Sequence, residues 1–342
     1  MAEAKVVFTN VRKHFPHSGI LHKKFIHAVN DVSFSIEEGK ILAVVGESGC
    51  GKTTLARMLM KLHSITEGSI RLDGRELSEI RGKEEVRKFK SRIQMIFQDP
   101  FASLNASHSV EGILSRAITL HNPGMKKEEV EEKVNNLLVQ VGMTPPGDFR
   151  GKYPGQLSGG QRQRVGIARA LAVDPEVIVA DEPTSMLDVS IGIDIMNLLL
   201  DLRDRKKLTM MYITHNLAGA RYIADNIVIM YAGNAVEYGD IDEVIAKPLH
   251  PYTLLLLSST PEPFRENKSD LHAKEDLPDL LQEQHQCMFC DRCPVCMEKC
   301  RGAIPENYTV DGRMVKCFLY ENMHHVDEPP VSKEIYAEEE ER

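Results

Sequence analysis

Hydrophobic and polar residues alternate along the chain in blocks that predict strands and helices in turn. A continuous apolar run at 41–45 predicts a buried strand, and apolar residues recur at helical spacing from Leu55 to Leu62. The sequence Gly46-Glu47-Ser48-Gly49-Cys50-Gly51-Lys52-Thr53 lies between them. Strand, glycine-rich turn and helix therefore follow one another directly, and the rest of the chain is organised around them.

The first part of the chain has the period-two pattern of half-buried strands. Residues 5–11 and 31–36 predict antiparallel strands, and residues 68–74 predict a strand that ends in an Asp-Gly turn. The polar insertion at 16–27 predicts a solvated loop, because its three histidines are too loosely spaced to indicate a metal site. We expect an antiparallel β region before the main sheet.

Strands and helices then alternate. The predicted strands are 93–97, 177–180 and 210–214, and the predicted helices include 84–90 and 189–203. This alternation is typical of an α/β fold with a parallel, doubly wound sheet. From 98 to about 157 the pattern is helical, which predicts an inserted helical lobe.

Composition and charge limit the possible functions. The 342 residues are 42% hydrophobic and carry a net charge of -8, which argues against nucleic acid as the main partner. The amino end lacks the basic flank and apolar core of a secretion signal, and no apolar run approaches the ~20 residues that span a bilayer. We expect a cytosolic protein that meets a membrane only through partners.

The glycine-rich turn has the composition of a phosphate-binding loop. Its glycines allow the backbone to curl so that successive N–H groups point at a phosphate chain. Lys52 supplies a positive charge for the β- and γ-phosphates, and the Thr53 hydroxyl is placed to bind Mg²⁺. Ligands of parallel sheets lie at the carboxyl ends of the strands, and four polar residues fall there. They are Gln98, Asp181, Glu182 and His215.

Five motifs in order make residues 5–257 resemble the ATP-binding subunits of ABC transporters. They are the loop at 46–53, Gln98, the sequence Leu157-Ser158-Gly159-Gly160-Gln161, the pair Asp181-Glu182, and His215. The resemblance implies a P-loop NTPase (RecA-like) parallel sheet, with an antiparallel β subdomain, the helical lobe and a small cysteine-rich C-terminal domain. We expect segments at 1–97, 98–165 (helical lobe), 166–247, 248–325 (cysteine-rich) and 326–342 (acidic tail).

The resemblance also implies roles for individual residues. Thr53, Gln98 and Asp181 hold Mg²⁺, Glu182 polarises the attacking water, and His215 contacts the γ-phosphate. Gln98 is counted with Glu182 and His215 as catalytic, and Phe15 stacks on adenine. The ATP-binding set is Phe15, Gly46, Glu47, Ser48, Gly49, Cys50, Gly51, Lys52, Thr53, Thr54 and Gln98.

A second set of residues serves the opposite subunit of a head-to-tail pair. The resemblance implies that Leu157, Ser158, Gly159, Gly160 and Gln161 bind ATP in trans, at a helix amino terminus suited to an anion. Asp188 lies at the interface between the subunits. Met186 stands where the family usually has a small residue.

Three features narrow the resemblance: the sequence at 97–105, the sequence His250-Pro251-Tyr252-Thr253, and the terminal cysteines. Together they resemble the oligopeptide/dipeptide/nickel importer subfamily. Six of the seven cysteines crowd into the last quarter of the chain, which in a reducing compartment favours metal over disulfides. The subfamily pattern implies a 4Fe-4S cluster on Cys287, Cys293, Cys300 and Cys317. Cys290 and Cys296 are additional. Zinc and unliganded thiols remain alternatives.

The resemblance implies an importer of di- and oligopeptides at the cytoplasmic face of the membrane. The expected partners are a second ABC ATPase subunit, identical or a sister chain, two transmembrane permease subunits and an extracytoplasmic solute-binding protein. Nickel or oligosaccharide cargo is an alternative, and so is a soluble ABC ATPase unconnected with transport. A regulatory subunit without turnover is disfavoured by Glu182, His215 and the intact sequence at 157–161.

Overall fold

The computed structural model describes residues 4–18, 23–258, 278, 280–281, 284–327 and 329–330. Residues 259–277 and most of the predicted acidic tail lie outside the described residues. The strands are β1 (Ala4–Ser18), β2 (Lys23–Glu37), β3 (Ile41–Val45), β4 (Glu67–Leu72), β5 (Arg75–Glu76), β6 (Ile93–Ile96), β7 (Val177–Asp181), β8 (Thr209–Thr214), β9 (Asn226–Tyr231), β10 (Asn234–Asp240), β11 (Tyr308–Val310) and β12 (Arg313–Val315).

Helices connect most of these strands. They are α1 (Lys52–Leu59), α2 (Lys83–Arg92), α3 (Pro100–Ser103), α4 (Val110–His121), α5 (Lys127–Gln140), α6 (Gly147–Arg150), α7 (Gly159–Leu171), α8 (Val189–Lys206), α9 (Leu217–Ile223), α10 (Ile241–Ala246), α11 (Pro251–Ser258) and α12 (Glu298–Gly302). No helix among the described residues combines the length and the apolar character needed to cross a bilayer.

The described residues fall into two compact units. Unit 1 contains residues 4–5, Ile36–Ile41 and Arg75–Ile213, and unit 2 contains the described residues of 6–35, Leu42–Gly74 and 214–342. The phosphate loop and the cysteines belong to unit 2, whereas the Asp181-Glu182 pair belongs to unit 1.

The antiparallel β region predicted from the sequence is present in unit 2. Strand β1 pairs antiparallel with β4, with Val6 opposite Leu72 and Phe8 opposite Ile70. The solvated loop predicted at 16–27 is largely wrong, because β1 continues to Ser18 and β2 begins at Lys23. Polar side chains on exposed strand ends leave no apolar alternation, so the period-two signal is lost there. His22 lies outside the described residues.

Strand β3 is part of a mixed sheet in unit 2. It pairs in parallel with β9, which pairs antiparallel with β10. Strand β12 then pairs with β10, with Glu237 opposite Val315, and β11 pairs with β12. A separate cysteine-rich domain is therefore not confirmed, because the carboxyl-terminal hairpin extends the sheet that carries the phosphate loop.

A buried carboxylate holds the segment after β10 in place. Glu237 is fully buried, and its two oxygens accept N–H bonds from Leu249 and His250, both at 2.9 Å. Burial raises the pKa of Glu237, while these bonds and the Arg313 guanidinium at 3.6 Å oppose that rise. The paired carboxylate thus joins α11 and β12 to the sheet.

Unit 1 contains the parallel strands and the helical insertion. Strand β6 pairs in parallel with β7, and β7 with β8, so all three strands predicted here are confirmed to within one residue. Helices α3 to α7 follow β6, and no strand occurs among the described residues from 97 to 176. The apolar face of α5 is buried at Val134, Leu137 and Leu138.

Candidate active site

The phosphate loop joins a wholly buried strand to a helix, as the sequence predicts. Every residue of β3 is buried, and α1 begins at Lys52. A Cβ at Gly46 would lie 2.1 Å from the Met230 oxygen, and one at Gly51 would lie 2.4 Å from the Ala28 oxygen. Only glycine fits so close to neighbouring backbone. The helix ends at Leu59 rather than at Leu62.

Lys52 is the buried cation of this loop. Its side chain donates to the Gly46 and Glu47 carbonyl oxygens, at 2.7 and 2.8 Å. The residue is 5% exposed and is the first residue of α1. The free N–H groups at the start of this helix add to its positive electrostatic potential. Cys50 is also buried, with its Sγ 3.7 Å from the ammonium, and burial raises the pKa of this thiol. The loop therefore places a fixed positive charge inside a backbone cradle.

Other residues predicted to bind ATP lie in unit 2. Thr53 and Thr54 are half-buried in the first turn of α1. Phe15 is half-buried on β1, with the His63 ring edge-on at 5.1 Å and the Lys13 ammonium 4.9 Å from its centroid. Its adenine-stacking role stays a prediction.

The acidic pair lies at the carboxyl end of β7 in unit 1. Asp181 is the last residue of that strand and is 7% exposed. Glu182 adopts a left-handed backbone with φ of 45°, and its N–H donates to the Ile213 oxygen at 2.9 Å. Such strain, of about 1–2 kcal/mol for a residue with a Cβ, concentrates at functional sites. The Gln98 amide donates to the Glu182 carboxylate at 3.0 Å, so the fold brings these two residues together.

His215 follows β8 directly, and its side chain is exposed. The next residue, Asn216, donates its N–H to the Thr214 hydroxyl and caps α9 by accepting from Gly219. These bonds define the turn on which His215 stands.

Helix α7 begins with the motif predicted to act in trans. The Ser158 hydroxyl accepts the Gln161 N–H, and the Gln161 side chain accepts the Ser158 N–H in return. Leu157 is buried beside this capping box, whereas Ser158 is exposed. A Cβ at Gly160 would lie 2.7 Å from Ile191 Cγ2, so a larger residue would require the Ile191 side chain or the start of the helix to shift.

An exposed apolar surface surrounds the start of α8. Asp188 is exposed at the N-cap position, without a side-chain capping bond. Met186 is 56% exposed and Val189 is 81% exposed, and Ile193 is exposed as well. Clustered apolar exposure of this kind marks a surface that another molecule covers.

Five of the carboxyl-terminal cysteines line a single cavity in unit 2. All four cysteines predicted as ligands are among them, together with Cys290, while Cys296 is not. Burial raises the pKa of Cys287 to about 11 and that of Cys317 to about 12, so a cation is needed to keep them as thiolates at neutral pH.

Among the described residues, no three potential ligands are arranged to hold one metal ion. Thiolates are ligands both of zinc and of iron–sulfur clusters. The cluster on these cysteines therefore stays a prediction from the sequence.

Tyr252 is a residue whose contact the sequence did not reveal. Its hydroxyl accepts the N–H of Glu47, a residue of the phosphate loop, at 3.1 Å. The sequence His250-Pro251-Tyr252-Thr253 identified a subfamily, but nothing in it indicated a contact with residue 47, far away in the chain.

Residues 29–185 match the ABC transporter family, and residues 236–300 match the oligopeptide/dipeptide transporter C-terminal region. The di/tripeptide transport ATP-binding protein DppF of Pseudomonas aeruginosa is 41% identical over 89% of this chain and 91% of its own length. The oligopeptide transport ATP-binding protein AppF of Bacillus subtilis is 42% identical over 91% of this chain and 96% of its own.

Solved structures show the same fold. A dimeric ATP-binding cassette in a post-hydrolysis state, bound to ADP and Pi, matches with a TM-score of 0.61 and 30% identity. The match covers 69% of this chain and 98% of that one.

Proposed function

Because the chain belongs to the ABC transporter family, among the ATP-binding subunits of oligopeptide and dipeptide transporters, we propose that it hydrolyses MgATP in a head-to-tail pair of subunits. The activity is that of an ATPase coupled to transport. The cargo in our proposal is di- and oligopeptides. The observation that carries it is the buried Lys52 ammonium inside the glycine loop, at 2.7 Å from the Gly46 oxygen.

The roles of the polar residues follow from phosphoryl transfer. The protein must hold the triphosphate, offset developing charge and orient water. Lys52 and the loop amides would bind the phosphates, and Thr53, Gln98 and Asp181 would hold Mg²⁺, which would offset phosphate charge. Glu182 orients and polarises the attacking water, and the Gln98 amide at 3.0 Å supports its carboxylate. His215 contacts the γ-phosphate.

The second subunit supplies the remaining contacts. The start of α7 presents Ser158 and two glycines at the positive end of a 13-residue helix, which suits the phosphates of a neighbour's ATP. The exposed apolar surface at Met186 and Val189 supports burial against that neighbour, with Asp188 at the interface. Nucleotide binding then joins the subunits, and hydrolysis releases them.

The remaining partners are two transmembrane permease subunits, with an extracytoplasmic solute-binding protein delivering the cargo. The chain would lie at the cytoplasmic face of the membrane, attached through the permeases. The match at 236–300 favours peptides over nickel or oligosaccharides, and favours transport over a soluble role. The segments 1–97, 98–165, 166–247, 248–325 and 326–342 remain our proposed divisions.

Co-purification from native membranes tests this assignment. We expect the chain to be recovered with two permease subunits and an ATPase partner, and its turnover in vesicles to rise with peptide and solute-binding protein. Recovery as a membrane-free ATPase, with turnover indifferent to peptides, would contradict transport.

The cavity-lining cysteines carry a separate prediction. After anaerobic purification we expect about four irons and an equal amount of acid-labile sulfide per chain, with broad visible absorption. Serine at any of Cys287, Cys293, Cys300 or Cys317 should remove most of the iron. Cys296→Ser is the matched control, because Cys296 does not line the cavity. Bound zinc in place of iron, or equal loss of iron in Cys296→Ser, would show the assignment to be wrong.

A further inference from the structure

An arginine of the cysteine-rich segment forms a two-point ion pair with the phosphate loop. Arg292 Nη1 and Nη2 donate to the two carboxylate oxygens of Glu47, both at 2.9 Å. The Arg292 side chain is only 10% exposed, and that of Glu47 is 30% exposed. Parallel charge-assisted bonds of this kind fix orientation as well as distance.

The surroundings of Arg292 hold it in this position. Its guanidinium lies 5.5 Å from the Tyr231 ring centroid and 5.9 Å from that of Phe289. Nη1 also donates to the Tyr231 hydroxyl at 3.3 Å. Arg292 ends a short 3₁₀ turn that starts at Cys290, so the backbone of the cysteine segment sets its place.

Glu47 is the acidic residue of a loop that has to receive a polyanion. Its backbone oxygen accepts the Lys52 ammonium at 2.8 Å, and its backbone N–H donates to the Tyr252 hydroxyl. An uncompensated carboxylate here would repel phosphates and draw Lys52 away from them. Arg292 offsets that charge from the side of the cysteine segment.

We propose that Arg292 is a positioning residue for ATP binding, which holds Glu47 and neutralises it so that the phosphate loop keeps the shape and charge that a triphosphate requires. The inference rests on the proposed function of the loop. It makes the cysteine-rich segment a support for the nucleotide site, and not only an appended structure. Arg292 acts through Glu47, without touching the nucleotide itself.

Titration of the full chain with MgATP by calorimetry tests the proposal, together with steady-state turnover. In Arg292→Ala we expect Kd and KM for ATP to rise roughly tenfold or more, the size typical of a charged hydrogen-bonded pair. The kcat at saturating ATP should stay within about twofold, because the groups that act in the transition state are unchanged. The Kd and KM of Arg292→Lys should lie between those of the unaltered chain and of Arg292→Ala, because lysine keeps the charge but not the two parallel bonds.

Two further variants separate this role from a purely structural one. In a Glu47→Gln background, adding Arg292→Ala should change ATP affinity by less than about twofold, because the group through which Arg292 acts is already neutral. Arg301→Ala is the matched control: it lies in the same segment, paired with Asp291 at 3.1 Å, and its side chain is 60% exposed. It should bind ATP like the unaltered chain.

The possible results are distinct. If the unaltered chain fails to bind ATP, the proposed function is wrong. If it binds and Arg292→Ala binds equally well, even with a lower melting temperature, the pair is only structural and this inference is overturned. An equal loss of affinity in the Glu47→Gln background also overturns it. If Arg292→Ala does not fold, the ATP affinity of Arg292→Lys decides the question. An affinity equal to that of the unaltered chain would overturn the inference.

Discussion

Lys52→Ala should lower the affinity for MgATP by roughly a hundredfold or more and remove measurable turnover, because charge-assisted bonds to phosphate oxygens are lost together. The ammonium is buried in the loop, at 5% exposure. The ammonium donates to the Gly46 and Glu47 carbonyl oxygens. A bound triphosphate would replace these acceptors with its own oxygens. Calorimetric titration and phosphate release measure the two effects.

Arg57→Ala is the control for this variant. Arg57 lies on the same helix, and its side chain is exposed. It should bind and hydrolyse ATP normally. This result would show that losing a positive charge on α1 does not by itself reduce ATP binding or turnover. Normal ATP binding by Lys52→Ala would contradict the phosphate-loop assignment, and the head-to-tail pairing built on it.

Glu182→Gln should bind MgATP with nearly unchanged affinity while turnover falls by roughly a hundred- to ten-thousandfold, the usual range for losing a general base. The amide keeps the shape of the side chain but cannot draw a proton from water. Because hydrolysis would then no longer separate the subunits, we expect ATP to shift the chain, or its mixture with a sister subunit, from monomer to dimer. Phosphate release and size-exclusion chromatography with and without ATP measure both effects.

Glu132→Gln serves as the comparison, since Glu132 is exposed on α5 of the helical insertion. It should hydrolyse ATP normally and form no ATP-stabilised dimer. Unchanged turnover in Glu182→Gln would assign the base to another residue. Lost turnover without any dimer, alone or with a sister chain, would contradict the paired-subunit cycle.

Short-range features could be predicted from the residues themselves. Gly46 and Gly51 stand where a Cβ would collide with backbone, and the apolar run before them is wholly buried, so strand, loop and helix follow from consecutive residues. The capping box between Ser158 and Gln161 could likewise be predicted, because both of its hydrogen bonds join residues within one stretch of four. Local sterics and hydrogen bonding determine such features, and both can be read from a short sequence.

Contacts between distant segments could not be predicted in this way. Strands β9 to β12 escaped notice, because pairing between strands such as β10 and β12 depends on partners that a local pattern does not identify. The cysteine spacing indicated a site, but only the fold separates the five cysteines that line the cavity from Cys296.

The sequence by itself therefore determined the chemistry of the chain: a phosphate loop, an acidic pair, a helix start suited to an anion and a group of thiols. The tertiary structure alone decided which of these groups meet. Gln98 bonds to Glu182 across 84 positions, and Arg292 bonds to Glu47 across 245. The physical reason is that local residues dictate backbone shape and side-chain charge, whereas the packing of the whole chain selects partners among residues that no short pattern connects.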